Sequence, residues 1–346
     1  MSRSSVRVRR VAPGKREDRV RPWLFYFEAT RMQVRWRNII IISMLIPFVL
    51  WAEDGRSGFD FLRWDMGARP ASMGGAFTAV SGDLYGLRYN PASLVGSHNR
   101  DVSFTYLNHL FDINSGFVGF NQSIGRFGLM GLGVFYTHYG EMRRTDITGE
   151  NLGSFAPMDL AVTMAVADSL PGGFQYGVSL EYIYSRIDSY SSSAIAGGVG
   201  LIYHIPSQNM NLGLSVTNAG GALSSFVKVK EKLPLTYRLG VSKHLAHLPL
   251  LLNFDLIRYQ YEESGKLGGF YWALGGEFTL SESVYLRWGY NSRGSEEKVG
   301  ATSDRFAGVC FGLGFRFEGY QVDYGFNAFG VLGARHFLTA TIPLSR

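Results

Sequence analysis

The sequence predicts an all-β fold: a transmembrane antiparallel β-barrel of about 14 strands, preceded by a small N-terminal helical plug. Three observations lead there. Aromatic residues make up 14% of the chain and charged residues only 18%, with 43 glycines and a mean hydropathy near zero. A soluble domain carries nearer a quarter charged residues. A barrel instead mixes apolar and polar residues finely, because half of each strand faces lipid and half faces a polar interior. From Val102 onward, apolar and polar residues alternate with the period of a strand. The connections between these runs are short and long by turns, as in a membrane barrel.

The formal net charge of +6 belongs to residues 1–52, which hold 11 of the 34 Lys+Arg and 3 of the 28 Asp+Glu. The remainder has no cationic surplus, so no nucleic-acid partner is expected. Residues 39–51 (IIIISMLIPFVLW) form an apolar run too short for a spanning helix and suited to a signal peptide. Arg35 and Arg37 precede it, and Ala52 offers a cleavage point. Met32 would open a short basic n-region and is the expected start. Residues 1–52 are thus read as a targeting segment, 53–101 as the plug and 102–346 as the barrel.

The plug is expected from residues 61–96, which do not alternate. Gly74-Gly75 permits close backbone packing, and Asn90-Pro91 reads as a helix N-cap followed by proline at the first helical position. A phosphate loop is excluded, since neither glycine-rich phosphate motif is present. The strand segments lie near 102–110, 114–124, 126–139, 157–168, 174–187, 194–205, 210–218, 234–245, 249–260, 270–280, 283–291, 305–317, 320–327 and 334–344. Tyr320, Val322, Tyr324 and Phe326 share one face of the thirteenth, while Gln321, Asp323, Gly325 and Asn327 share the other. Segments of this length suit tilted membrane strands, so outer-membrane lipid is an expected partner.

Turns after even-numbered segments are short, such as SE (281–282) and EG (318–319); the loops 140–156, 219–233, 261–269 and 292–304 are long and polar. Long loops outside and short turns in the periplasm would place both termini on the periplasmic side of the outer membrane. Leu152, Phe155, Leu223, Phe226 and Val227 are the candidate partner-binding anchors among the loops. Glu181, Arg238, Asp255, Glu277, Arg287, Arg316 and Asp323 fall on inward faces. Glu277 and Arg287 are placed to pair across one turn, and Arg316 and Asp323 across the next.

The chemistry of an enzyme is not visible. The only cysteine, Cys310, sits in a strand run. The seven histidines are scattered, and neither a zinc-protease helix motif nor a nucleophile elbow occurs. No metal and no cofactor are expected.

Gly67-Ala68-Arg69, Met73-Gly74-Gly75-Ala76, Asp83 and Asn90-Pro91-Ala92 together resemble the opening signature of the PorV/PorQ family, relatives of FadL-type transporters. The run VDYGFNAFGVLGARHFLTATIPL is similar to that family's closing hairpin. Ser93-Leu94 stands where the family has glycine-leucine. The resemblance implies a fourteen-stranded barrel with an N-terminal plug. It implies a non-enzymatic role binding protein partners, either secretion or other envelope proteins, in type IX secretion-like export. The alternative is a FadL-like transporter of hydrophobic small molecules, and a third reading is a barrel that only anchors an envelope complex.

Overall fold

Alternation at period two becomes a wall with two chemistries when its strands pair in register. The computed structural model describes residues 58–344, apart from 229, 261–269 and 298–301. The targeting segment and the 261–269 loop lie outside the described residues. Fourteen antiparallel strands form the wall: β1 (Asp101–Asn108), β2 (Asn114–Ser123), β3 (Leu129–His138), β6 (Met158–Leu170), β7 (Phe174–Ile187), β8 (Tyr190–Ile205), β9 (Met210–Ala222), β10 (Thr236–His244), β11 (Leu250–Tyr259), β12 (Phe270–Ser281), β13 (Val284–Asn291), β14 (Val309–Phe317), β15 (Tyr320–Ala328) and β16 (Ala334–Pro343). Each pairs with its neighbours in chain order, and β16 pairs with β1 from Asp101–Pro343 to Asn108–His336. Closure leaves no strand edge unpaired in the wall, as a lipid environment requires. Inside the closing seam, hydroxyls pair as Ser103–Thr341 (2.9 Å) and Thr105–Thr339 (2.8 Å).

Every strand of the wall turns at least one large apolar side chain outward, from Phe104 on β1 to Leu338 on β16. Among the described residues that continuous band has no apolar partner; a bilayer's hydrocarbon supplies one. The short strands β4 (Met142–Thr145) and β5 (Asn151–Phe155) stand apart as a separate two-stranded sheet within the β3–β6 connection. They were read as plain loop, because residues 142–155 are polar on both faces and carry no alternation. Arg144 of this hairpin pairs with Asp188 at the β7–β8 turn.

The plug occupies the bore. It comprises a 3-10 turn at Asp60–Arg63, the short helices α1 (Ala68–Ser72) and α2 (Gly86–Tyr89), and a 3-10 turn at Pro91–Leu94. Pro343 ends β16 at the short-turn end of the barrel. Gly58, the first described residue, lies at the opposite end, where its N–H donates to the carbonyl of Lys232 in the β9–β10 loop (2.9 Å). Both chain termini, expected on the periplasmic side, lie outside the described residues.

Candidate functional site: a plugged lumen

From Ala68 to Leu94 the plug follows the inner wall through most of a circuit. The N–H of Ala68 donates to Thr339 Oγ1 on β16 (3.0 Å), and α1 lies against β15 and β14. Met73 and Gly74 press on β13 and β12, the N–H groups of Phe77 and Thr78 reach β11, and Thr78 and Ala79 lie on β10 and β9. Asn90-Pro91-Ala92 then meets β8 and β7, and Leu94 meets β3. Inward glycines make the approach possible: a Cβ at Gly289 would stand 2.4 Å from the Gly74 nitrogen, and one at Gly200 would stand 1.8 Å from Asn90 Oδ1. Gly74 and Gly75 themselves adopt φ of 65° and 76°, which a residue with a Cβ rarely adopts. The glycines of the motif and of the strands thus serve one contact.

The motif's polar residues fasten this arc. Asn90 Oδ1 accepts the N–H of Ala92 (3.1 Å), while its amide donates to the carbonyls of Thr78 (2.7 Å) and Leu201 (3.1 Å). Its role reaches beyond a cap, since it ties two parts of the plug to β8. Gly67 makes room for the ring of Tyr85, and Ala76 is buried among Ile257, Tyr259, Tyr271 and Ala273. Asp255 Oδ2 accepts from the Phe77 and Thr78 N–H groups (3.0 Å each) and the Thr78 hydroxyl (2.6 Å). Arg238 stands 3.7 Å from that carboxylate and donates to the Gly75 carbonyl (3.3 Å).

Arg69 starts a chain of charges. Its Nη1 donates to Asp83 Oδ2 (2.7 Å), and its Nε and Nη2 grip Glu277 (2.8 Å each). Glu277 also accepts from Arg287 Nε (2.6 Å), whose Nη1 donates to Asp323 Oδ1 (2.6 Å). Glu277 and Arg287 are direct register partners. The Arg316–Asp323 pairing is corrected: Arg316 donates to Gln321 Oε1 (2.6 and 3.2 Å), and Gln321 Nε2 donates to Asp323 (2.7 Å). Gly314 is the register partner of Asp323 and has no side chain, so the Arg287 guanidinium reaches across β14 and takes the carboxylate first. Arg316, one pair from the turn, stays exposed. Burial pushes the Asp83 carboxyl up, and Arg69 opposes the shift.

The other side of the bore is apolar. Phe61, Leu62, Leu87 and Leu94 of the plug pack against Phe117 on β2, Phe135 on β3, alanines of β6 and β8, and Ile183 on β7. The rings of Phe61 and Phe135 stack at 6.2 Å and 13°. Glu181 breaks this side; it accepts from Thr163 (2.8 Å) and faces Arg88 at 3.4 Å. Sequence reading had not singled out Arg88, although it lies two residues before Asn90 in the motif. It also passed over Asp65, which bonds the hydroxyl of Tyr89, and the cluster above the plug. There Trp64 packs on His109 (4.3 Å), with the Arg335 guanidinium 5.4 Å from its ring.

Two polar cavities open toward the short turns. One, of about 600 Å³, is bounded by Arg69, Val80, Ser81, Gln175, His204 and His244 among others. The second, of about 230 Å³, is bounded by Arg69, Asp83, Tyr85, Asp101 and Arg316 among others. Among the loop anchors, Leu152, Leu223 and Val227 are exposed, whereas Phe155 and Phe226 are half-buried. No group of three or more potential metal ligands occurs among the described residues.

A closed fourteen-stranded wall with an apolar outer band and a filled bore defines a plugged transmembrane barrel of the outer-membrane type. Solved structures share that fold. The toluene transporter TodX of Pseudomonas putida aligns with a TM-score of 0.53 at 11% identity, over 83% of this chain and 97% of its own. The toluene transporter TbuX of Ralstonia pickettii gives 0.51 at 14% identity, over 80% and 96%. A FadL homologue of Pseudomonas aeruginosa gives 0.50 at 10%, over 81% and 98%. No protein-family model and no curated protein matches the sequence.

Proposed function

We propose that the protein is a non-enzymatic conduit for hydrophobic small molecules across the outer membrane, with the plug as its closure. The observation that carries this reading is the apolar side of the bore, where the plug's phenylalanine and leucines lie against β2, β3, β6, β7 and β8. A water-filled porin lines its lumen with polar groups; this barrel keeps an apolar surface inside, covered by the movable-sized run Phe61-Leu62. The fold's likeness to toluene transporters supports the same reading over the export role that the PorV/PorQ resemblance implies. Cells making the protein should take up labelled toluene faster than cells lacking it. Phe61→Ala, which removes the ring stacked on Phe135, should raise that rate further in a barrel that still shifts on heating. Uptake that is the same with and without the protein overturns the reading.

A second reading, a barrel that binds protein partners in export, has one observation in its favour. The β4–β5 hairpin carries a fully exposed Ile147 at its tip, with Leu152 exposed beside it. Deleting residues 143–153 and asking whether a secreted partner is still captured separates the two readings.

A further inference from the structure

The geometry points to the plug segment Val80–Tyr85 as a hinged partition between the two polar cavities, latched by the Arg69–Asp83 ion pair. This rests on the conduit reading, for which the partition would be the exit door. Val80 and Ser81 border the larger cavity, Gly82 through Tyr85 border the smaller one, and Arg69 borders both. The segment thus runs from the edge of one cavity to the edge of the other.

Its ends are held like the rest of the plug: Val80 is buried, Leu84 lies on Gly119 of β2, and the Tyr85 hydroxyl bonds Thr105 on β1 (2.8 Å). Its middle, Ser81–Asp83, is held by polar ties. The flanking arcs are pressed on wall glycines, at Gly213 and Gly240 by Thr78 and Ala79, and at Gly177 by Pro91 and Ala92. Between them, the Gly82 and Asp83 N–H groups both donate to the carbonyl of Ser93, also in the plug (2.8 and 3.0 Å). The Ser81 hydroxyl reaches Gln175 on β7 (2.9 Å). The charged tie is Asp83 to Arg69, and through Arg69 to Glu277 on β12. Gly82, at φ of 80°, lies beside that tie, where glycine tolerates a large change of backbone angle. Removing the Asp83 carboxylate leaves Arg69 still gripped by both oxygens of Glu277, so the latch can be cut without stranding a bare guanidinium. With the segment displaced, the two cavities become one polar vestibule at the short-turn end.

The test compares Asp83→Ala and Asp83→Glu in the whole barrel, each shown by heat-shifted migration to be assembled. Amide exchange in residues 80–85 should quicken about tenfold or more in Asp83→Ala, with 68–78 and 90–94 unchanged, and return toward the parent in Asp83→Glu. Toluene uptake should rise with the exchange. Unchanged exchange at 80–85 overturns the latch. Quickened exchange with unaltered uptake, in an assay where Phe61→Ala does alter uptake, removes the partition from the exit path and overturns the proposal. If neither variant nor the parent supports uptake at all, the conduit reading falls, and with it the exit role, while the exchange data still judge the latch.

Discussion

The two sides of the bore hold the same plug by opposite means. On β10 to β15, five buried charges, Arg238, Asp255, Glu277, Arg287 and Asp323, fix particular plug atoms at hydrogen-bond or ion-pair distance or hold one another in place. On β2 to β8, the hold is mainly contact between hydrocarbon and aromatic rings, with directional ties such as Arg88–Glu181, Asn90–Leu201 and Ser81–Gln175 in the minority. Directional bonds in a dry interior are intolerant of displacement, because each one broken leaves a desolvated group. Apolar contact is tolerant, because one apolar surface can replace another. The difference teaches which side can part: the charged side is the frame, and under the proposed conduit role the apolar side is the one a hydrophobic guest would displace.

The largest effect should come from the frame. Glu277→Gln removes the acid shared by Arg69 and Arg287. Breaking a buried pair this way typically costs about 3–5 kcal/mol, so the denaturant midpoint of the detergent-solubilised barrel should fall clearly. A midpoint within error of the parent would make the two sides equivalent and break the comparison.

A smaller, pH-dependent effect should appear above the plug. Burial, assisted by Arg335, pushes His109 down to about 3 from an ordinary 6.5. The neutral ring is the folded form, so its contribution is fully present above pH 6.5 and is lost progressively as pH falls toward 3, at about 1.4 kcal/mol per unit. Between pH 7 and pH 5 the folded ring stays neutral and the Trp64–His109 contact persists, while the denaturant midpoint should fall, a fall that His109→Gln abolishes. A fall that persists in His109→Gln would place the titrating group elsewhere. The smallest effect should be Ile183→Val on the apolar side, about 1 kcal/mol by analogy with other buried truncations. A loss as large as that of Glu277→Gln would show the apolar side to be as exacting as the frame.

The wall was legible in the sequence to within a few residues for most strands. Lipid on one face and plug on the other force the period-two pattern, as along Tyr320–Asn327. The reading failed where contrast failed. The strand β8 starts at Tyr190 and not at 194, because a serine run looks like a turn. The strand β9 continues to Ala222 through Ala-Gly-Gly, past the irregular pairing near Gly198, where alternation is lost. The strand β14 starts at Val309 because Gly308, at φ of 90°, ends a 3-10 run first. Within the site, Glu277 and Arg287 could be matched because they sit across one short turn. Arg69 and Glu277 are 208 residues apart, and no local pattern joins them. The inward glycines looked like unremarkable small residues; only the plug's backbone lying on them gives them a reason.

The near-circuit of the plug also bears on how the molecule is made. The amide of Ala68 finds its acceptor at Thr339, 271 residues later, on the strand that closes the cylinder. Helix α1 rests on β14 and β15, which are also among the last wall strands to leave the ribosome. The plug and the closing strands thus complete one another's hydrogen bonds. What the contacts fix is that the arc's bonds to the wall cannot all be in place before the last hairpin is. Contacts this distant in the chain, the β1–β16 seam among them, make folding slow as a rule, so the plug and the seam are the costly part of the fold to form.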